Sequence, residues 1–374
     1  MAHPKPPIIW LNVMIFTVTF AIAAVGAPLY AYFVGFDWQQ GLMLLAAFSY
    51  CGMSITAGYH RLWSHKAYEA NAVVRFIYAI GGAFALQNSI LHWSSDHRIH
   101  HKHVDNNDVD PYSAKLGFFY SHIGWMLREY QAHRYTDYKN CRDLQKDKIV
   151  MWQHKYYVPL AIATNFGIPL LFGLLHGDVW GALLLVGVVR LVLSHHTTFF
   201  INSLAHIWGA QPYTDKNTAR DNGFLAFLTF GEGYHNYHHI FENDYRNGIR
   251  WWQFDPTKWL IRTLAWLGMA RNLRTCPEDK IEKAKATMML KRMQARLNER
   301  SDSLAVLQKV ESEYEILMQK ISDYYATKKQ VLEAKKQTLR AQYESLEIVQ
   351  QYQEMKARLE QQRRSWKSLT AQYA

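Results

Sequence analysis

Residues Trp38 to His65 read WQQGLMLLAAFSYCGMSITAGYHRLWSH, with no charged side chain before Arg61 and with histidines at positions 60 and 65. About 20 uncharged residues suffice to cross a hydrocarbon core. The stretch therefore predicts a membrane-spanning helix that delivers imidazoles to the membrane surface. Working outward, Pro6 to Phe36 and Tyr156 to Gly177 are equally free of charge, and each predicts a further span. A fourth span is expected from Val179 to Ile201, interrupted only by Arg190, whose guanidinium must face a polar interior or reach for the surface. Another uncharged run, Phe76 to Ser95, would put the first two histidine clusters on opposite sides if it crossed. With Gln87, Asn88, Ser89 and His92 near its end, it reads instead as a helix in the interface or packed on the site.

The links between spans one and two and between spans three and four hold no Lys or Arg, whereas the cluster-bearing segments and both termini are basic. By the positive-inside rule the histidines, the amino terminus and the tail are expected in the cytoplasm. The first span has no small-residue cleavage site behind a short apolar core and reads as an anchor. Cys51, Cys141 and Cys276 stand far apart, which suggests neither a disulfide framework nor a thiolate metal site. The net charge of +11 suits anionic lipid head groups or an acidic partner, and no nucleic-acid motif competes.

Eight of the eighteen histidines fall in three clusters: His60 and His65; His97, His100 and His101; and His235, His238 and His239. In the last two the spacing i, i+3, i+4 puts three rings on one face of a helix, a tripod for metal. Solvated surface histidines are the plainer alternative, but three such clusters beside apolar spans argue against it. There are more imidazoles than one tetrahedral ion can use and no thiolates, which implies two ions and favours redox-active iron that activates dioxygen.

The segments HRLWSH, DHRIHHKH and GEGYHNYHH, with NSLAH ahead of the third, resemble the membrane di-iron fatty acyl desaturases of the stearoyl-CoA desaturase family over roughly residues 5 to 275. The stretch DYRNGIRWWQFDPTKW resembles bacterial and plant members more than animal ones, which implies a bacterial inner membrane as the location. The resemblance implies an all-α integral membrane enzyme with four transmembrane helices and a cytoplasmic histidine-rich cap. Its reaction would be insertion of a cis double bond, at the delta-9 position, into a saturated acyl chain such as stearoyl or palmitoyl with O2 as co-substrate. Carried over residue by residue, the iron ligands are His60, His65, His97, His100, His101, His206, His235, His238 and His239, with Asn202 acting through water. His206 belongs to no cluster, but Thr198, Asn202 and His206 recur every four residues and would form one stripe if the fourth span continued. His195 and His196 read as tunnel-lining or packing residues. The resemblance assigns substrate contacts to Gln87, Asn88, Trp93, Asp96, Thr198 and Phe199, in a bent, dry tunnel that fixes the reacting carbons by geometry.

The chain departs from animal acyl-CoA desaturases at Ser95, where those have Arg, and at Phe199, where those have Trp. It also departs after GWML, where Arg128, Glu129 and Tyr130 replace residues thought to meet coenzyme A phosphates; Lys102, Lys115 and Arg128 are the remaining nearby cations. Acyl-CoA is the expected substrate, with acyl-lipid or acyl carrier protein substrates, a fatty acyl hydroxylase and a histidine-rich metal transporter as alternatives. With no HPGG haem segment and no GxGxxG fingerprint, electrons are expected from a ferredoxin or cytochrome b5 type partner and its reductase.

Residues 1–277 are thus read as the desaturase domain and 278–374 as a long helical tail. From Glu278 onward there is no Gly or Pro, and apolar residues, Leu304, Leu307, Val310, Tyr314, Leu317, Ile321 and Tyr324, then Tyr325, Leu332, Leu339 and Leu346, then Tyr352, Met355, Leu359, Trp366 and Leu369, recur at three, four and seven. That spacing predicts a coiled coil, broken at Ser301 to Ser303 and able to fold back or to pair across protomers.

Overall fold

The computed structural model describes residues 6–298, 304–337 and 347–372. It is overwhelmingly helical; its one sheet, among the described residues, is the two-residue pairing of Glu69–Ala70 with Ala270–Arg271. Among the described residues four helices are long and apolar enough to cross a membrane: Trp10–Phe33, Trp38–Ser64, Tyr157–His176 and Val179–Ile207. The fifth uncharged run does not become a span. It divides into a 13-residue helix, Ala72–Phe84, and the helix Ile90–His103. Between them Leu86 and Asn88 take positive φ values of 53° and 76°.

At the end remote from the histidines, short polar links both start and tie the spans. Asp37 caps the second span in a capping box, Asp37 Oδ1 accepting from the Gln40 N–H at 2.9 Å and Gln40 Oε1 accepting from the Asp37 N–H at 3.0 Å. Asp178 caps the fourth through the Gly181 N–H and also accepts from the Tyr30 hydroxyl and the Gln40 amide, both at 2.7 Å. Gly177, at φ 94°, ends the third span in the left-handed conformation that glycine adopts without penalty.

The other end of the second span departs from α geometry. Ser54–Ser64 winds as a π-helix, and the His65 N–H donates to the His60 carbonyl five residues back at 3.1 Å. Helix Ala72–Phe84 presses on this stretch through its glycines: a Cβ at Gly81 would lie 2.0 Å from Ser54 Oγ, and one at Gly82 would lie 2.1 Å from the Tyr59 ring.

Arg190 turns inward. Fully buried, it donates to the carbonyls of Val186 and Phe84 and to Asn165 Oδ1, and its guanidinium lies 3.7 Å over the Phe84 ring. Carbonyl and amide dipoles thus solvate a charge that lipid could not.

By internal contacts the chain divides into two compact units, residues 1–211 with 216–275, and residues 212–215 with 276–374. In the second unit the tail forms three helices, Glu278–Leu297, Leu304–Gln337 and Glu347–Gln372. The Lys283–Ser322 and Gln294–Glu311 hydrogen bonds run the first two antiparallel, and Tyr324–Tyr352 with Lys320–Gln362 does the same for the last two. Val310, Leu317, Ile321, Leu359 and Trp366 are buried together with Met293 and Leu297, so the apolar seam is covered by the chain's own helices. The expected break at Ser301 to Ser303, and the seam positions Leu339 and Leu346, lie outside the described residues.

Candidate metal centre and adjoining cavity

The nine expected histidines converge on two clusters. His60, His65, His97, His101 and His238 form one, and His100, His206, His235 and His239 the other. Each three-histidine helix feeds both sites, which corrects the tripod expectation. Residues i and i+4, His97 with His101 and His235 with His239, share a cluster, while His100 and His238 lie far enough round the helix to serve the neighbouring one. The π winding has a similar effect on the first pair. In an α-helix residues five apart point about 140° from each other, but with an i to i+5 repeat they share a face. The His60 and His65 rings accordingly sit 4.8 Å apart in one cluster. The fourth span does continue to Ile207, with a break in its winding at Ser203, ψ −76°, and His206 lies in its final turn, Leu204–Ile207.

Within each cluster the Nε2 atoms face one another. His60–His238, His65–His97 and His101–His238 are separated by 2.9, 2.8 and 3.0 Å, and His206–His235, His235–His239 and His100–His239 by 3.1, 3.0 and 3.3 Å. Adjacent ligands on an ion bound at 2.0–2.1 Å stand about 3 Å apart, so the spacing fits one ion per cluster. The opposite nitrogens meet a second set of groups. His60 Nδ1 lies 2.9 Å from Glu232, His100 Nδ1 2.8 Å from Asp110, and His101 Nδ1 3.1 Å from Glu242. His206 Nδ1 lies 2.8 Å from the Thr218 hydroxyl, which donates to Asp105. Such partners fix the tautomer that directs Nε2 to metal and raise ligand basicity. Burial pushes the pKa values of His97, His235, His238 and His239 well below the usual range, and that of His101 down to about 4, so the rings are neutral ligands near pH 7.

Under His60 the segment Asp244–Trp259 builds a buried charge network. Arg61, 1 % exposed, donates to Glu232 at 2.8 Å, to Asp255 at 3.1 Å and to the Tyr245 carbonyl at 2.8 Å. Asn247 donates to the other Glu232 oxygen at 2.7 Å, and the backbone N–H groups of Asn247, Gly248 and Lys258 donate to Asp255. Burial alone would raise the Glu232 pKa, but its interactions with His60 and Arg61 overcome that and lower the value to about 2.

A cavity of about 240 Å³ adjoins the clusters, and all six residues expected to contact substrate line it, together with Asn202 and His195. Trp93 forms its wall toward the histidine clusters, stacking on the His97 ring at 4.8 Å. Gln87 donates to the Thr198 hydroxyl at 2.9 Å, and Phe199 stacks on His195 at 5.5 Å. His196 stands aside, paired with His122 at 2.9 Å. Ser95 is turned to Asn140, and Arg128 donates to the Pro6 carbonyl. Sequence reasoning missed the histidine-supporting acids, though Glu232 stands inside the GEGYHNYHH segment. It also missed Tyr112, Trp125 and Arg134 in the cavity wall, whose positions follow no local period. Asp110→Asn is expected to lower metal affinity by roughly 10–100-fold, mainly at the four-histidine cluster. Metal titration of the variant checks this, and unchanged affinity at both sites would refute it.

Residues 36–272 match the family model described as fatty acid desaturase. The chain is 48 % identical over 255 residues to a probable acyl-CoA desaturase of Schizosaccharomyces pombe, covering 67 % of this chain and 53 % of that one. It is 40 % identical over 282 residues to acyl-CoA desaturase 1 of Saccharomyces cerevisiae, covering 74 % and 53 %. It is 35 % identical over 292 residues to stearoyl-CoA desaturase 5 of Bos taurus, covering 75 % and 84 %. The chain thus spans about half the length of the two yeast proteins.

Proposed function

The chain belongs to the fatty acid desaturase family, and from that premise we propose that it is an O2-dependent acyl-CoA desaturase placing a cis double bond at the delta-9 position of a saturated acyl chain. The observation that carries this reading is the join between the four- and five-histidine clusters and a cavity, through the rings of Trp93 and Tyr112. We take the metals to be iron, held by the nine histidines, with Asn202 acting through water. Two irons with O2 supply the oxidising power to remove hydrogen from an unactivated methylene. The rest falls to the protein. The cavity wall excludes water, the Gln87–Thr198 pair holds one stretch of the wall in shape, and Trp93 and Phe199 present flat apolar surfaces to the chain. Because all methylenes are chemically alike, position along the cavity decides which carbons react.

The relatives named as acyl-CoA and stearoyl-CoA desaturases support the thioester as substrate. On the charge asymmetry of the loops we orient the metal-bearing face and both termini toward the cytoplasm. Electrons come from an external ferredoxin or cytochrome b5 type carrier with its reductase. Residues 1–277 form the catalytic domain, and 278–374 an added helical element that chemistry does not require.

Labelled stearate supplied to a host lacking desaturases tests the reading. The double bond is expected first in the thioester pool, at carbon 9, when pools are separated at early times by mass spectrometry. First appearance in glycerolipid would transfer the activity to acyl-lipid substrates, and a hydroxylated product would make the enzyme a hydroxylase.

A further inference from the structure

Arg134 belongs to no motif, yet it is only 3 % exposed and lines the cavity. Its Nε and Nη2 donate to the two oxygens of Asp96 at 3.0 and 2.9 Å, and Asp96 is itself buried. The guanidinium also stacks on Trp125 at 5.0 Å and Tyr135 at 5.7 Å. A charge this buried is tolerable because the bidentate partner neutralises it and the rings shield it. The fork has five donors, however, and Asp96 takes one edge of it. Nη1 has no partner among the described residues, on a side chain that faces the cavity.

Resting on the acyl-thioester reading above, we propose that Arg134 is a specificity-determining residue whose free Nη1 edge binds the thioester carbonyl oxygen of the substrate and so sets the point from which the chain is measured. Charge decides between candidate acceptors. The Arg134–Asp96 pair is neutral overall, so it offers hydrogen bonds without the net positive field that a phosphate dianion seeks; a neutral carbonyl is the better match. Ring contacts of 5.0, 5.0 and 4.5 Å lead from the guanidinium through Trp125 and Tyr112 to the His100 ligand, so the anchor packs continuously onto the metal-binding cluster. Asp96 orients the guanidinium, and its place next to His97 in the chain ties the anchor to the metal cluster. Ser95, turned toward Asn140, leaves this role to a residue from another segment.

The test uses the intact wild-type protein and two variants. A stearyl-CoA thioether, in which CH2 replaces the carbonyl, should inhibit the wild type at least tenfold more weakly than a thioester of equal length competes. Arg134→Gln should raise KM roughly tenfold or more for both stearoyl-CoA and stearoyl N-acetylcysteamine, and spread the double bond over neighbouring positions. Arg134→Lys, which cannot serve carboxylate and carbonyl as a fork, should recover only part of this. If thioether and thioester bind alike in the wild type, the carbonyl anchor is wrong whatever the variants do. An increase in KM confined to the coenzyme A ester would move the contact to the nucleotide portion and overturn the assignment. Unchanged KM and product position in metal-loaded Arg134→Gln would reduce the residue to a structural one. Failure of the wild type to act on any thioester would instead refute the substrate reading on which the anchor rests.

Discussion

In His206→Ala the bound metal should fall from about two ions per chain to about one, and desaturation should cease. His206 belongs to the four-histidine cluster, so its loss leaves three imidazoles to hold that ion. His97→Ala and His238→Ala should likewise abolish turnover. His238 Nε2 lies within 3.0 Å of the Nε2 atoms of both His60 and His101, at the crowded centre of the five-histidine set. The loss exceeds the 10–100-fold typical of a supporting partner because a ligand itself is removed. Elemental analysis, turnover and circular dichroism together check this. Full metal content and normal turnover in His206→Ala would exclude that residue from the site.

Arg61→Met should destabilise the protein by about 3–5 kcal/mol, the range found when one partner of a buried ion pair is removed. Its side chain fills a fully enclosed space between Glu232 and Asp255, which are 2 % and 0 % exposed. Methionine restores most of the volume but leaves two carboxylates without their cation. Thermal unfolding in detergent should show the loss, and adding Glu232→Gln with Asp255→Asn should recover part of it. Equal thermal stability of Arg61→Met and wild type would mean that the network contributes no net stability.

Much of this was present in the residue order, for identifiable reasons. Membrane spans announce themselves because lipid tolerates no charge, so the helices Trp38–Ser64 and Tyr157–His176 lie close to the runs read from sequence. Histidine spacing announced the clusters. It could not reveal how they divide, since that depends on how two helices are placed against each other and on a π winding that no residue type enforces by itself. Asp96 was expected at the cavity from the family resemblance, whereas Arg134 reaches the same cavity from a short 3-10 turn, Ala132–Tyr135, with no periodicity to betray it. In the tail, periodicity showed that an apolar seam existed. It did not show that helices ending at Gln337 and resuming at Glu347 would bury the seam within one chain.

The helices Ile90–His103 and His235–Ile240 each serve both clusters, which would make two bound ions thermodynamically interdependent. An ion in the five-histidine cluster would hold His97, His101 and His238, and with them the backbone that carries His100, His235 and His239. Part of the conformational entropy of arranging the second site would then already be lost. The second ion is expected to bind more tightly than it would alone, so that loading is cooperative. A protein given less metal than it can hold would be a mixture of empty and filled molecules, with few half-filled ones.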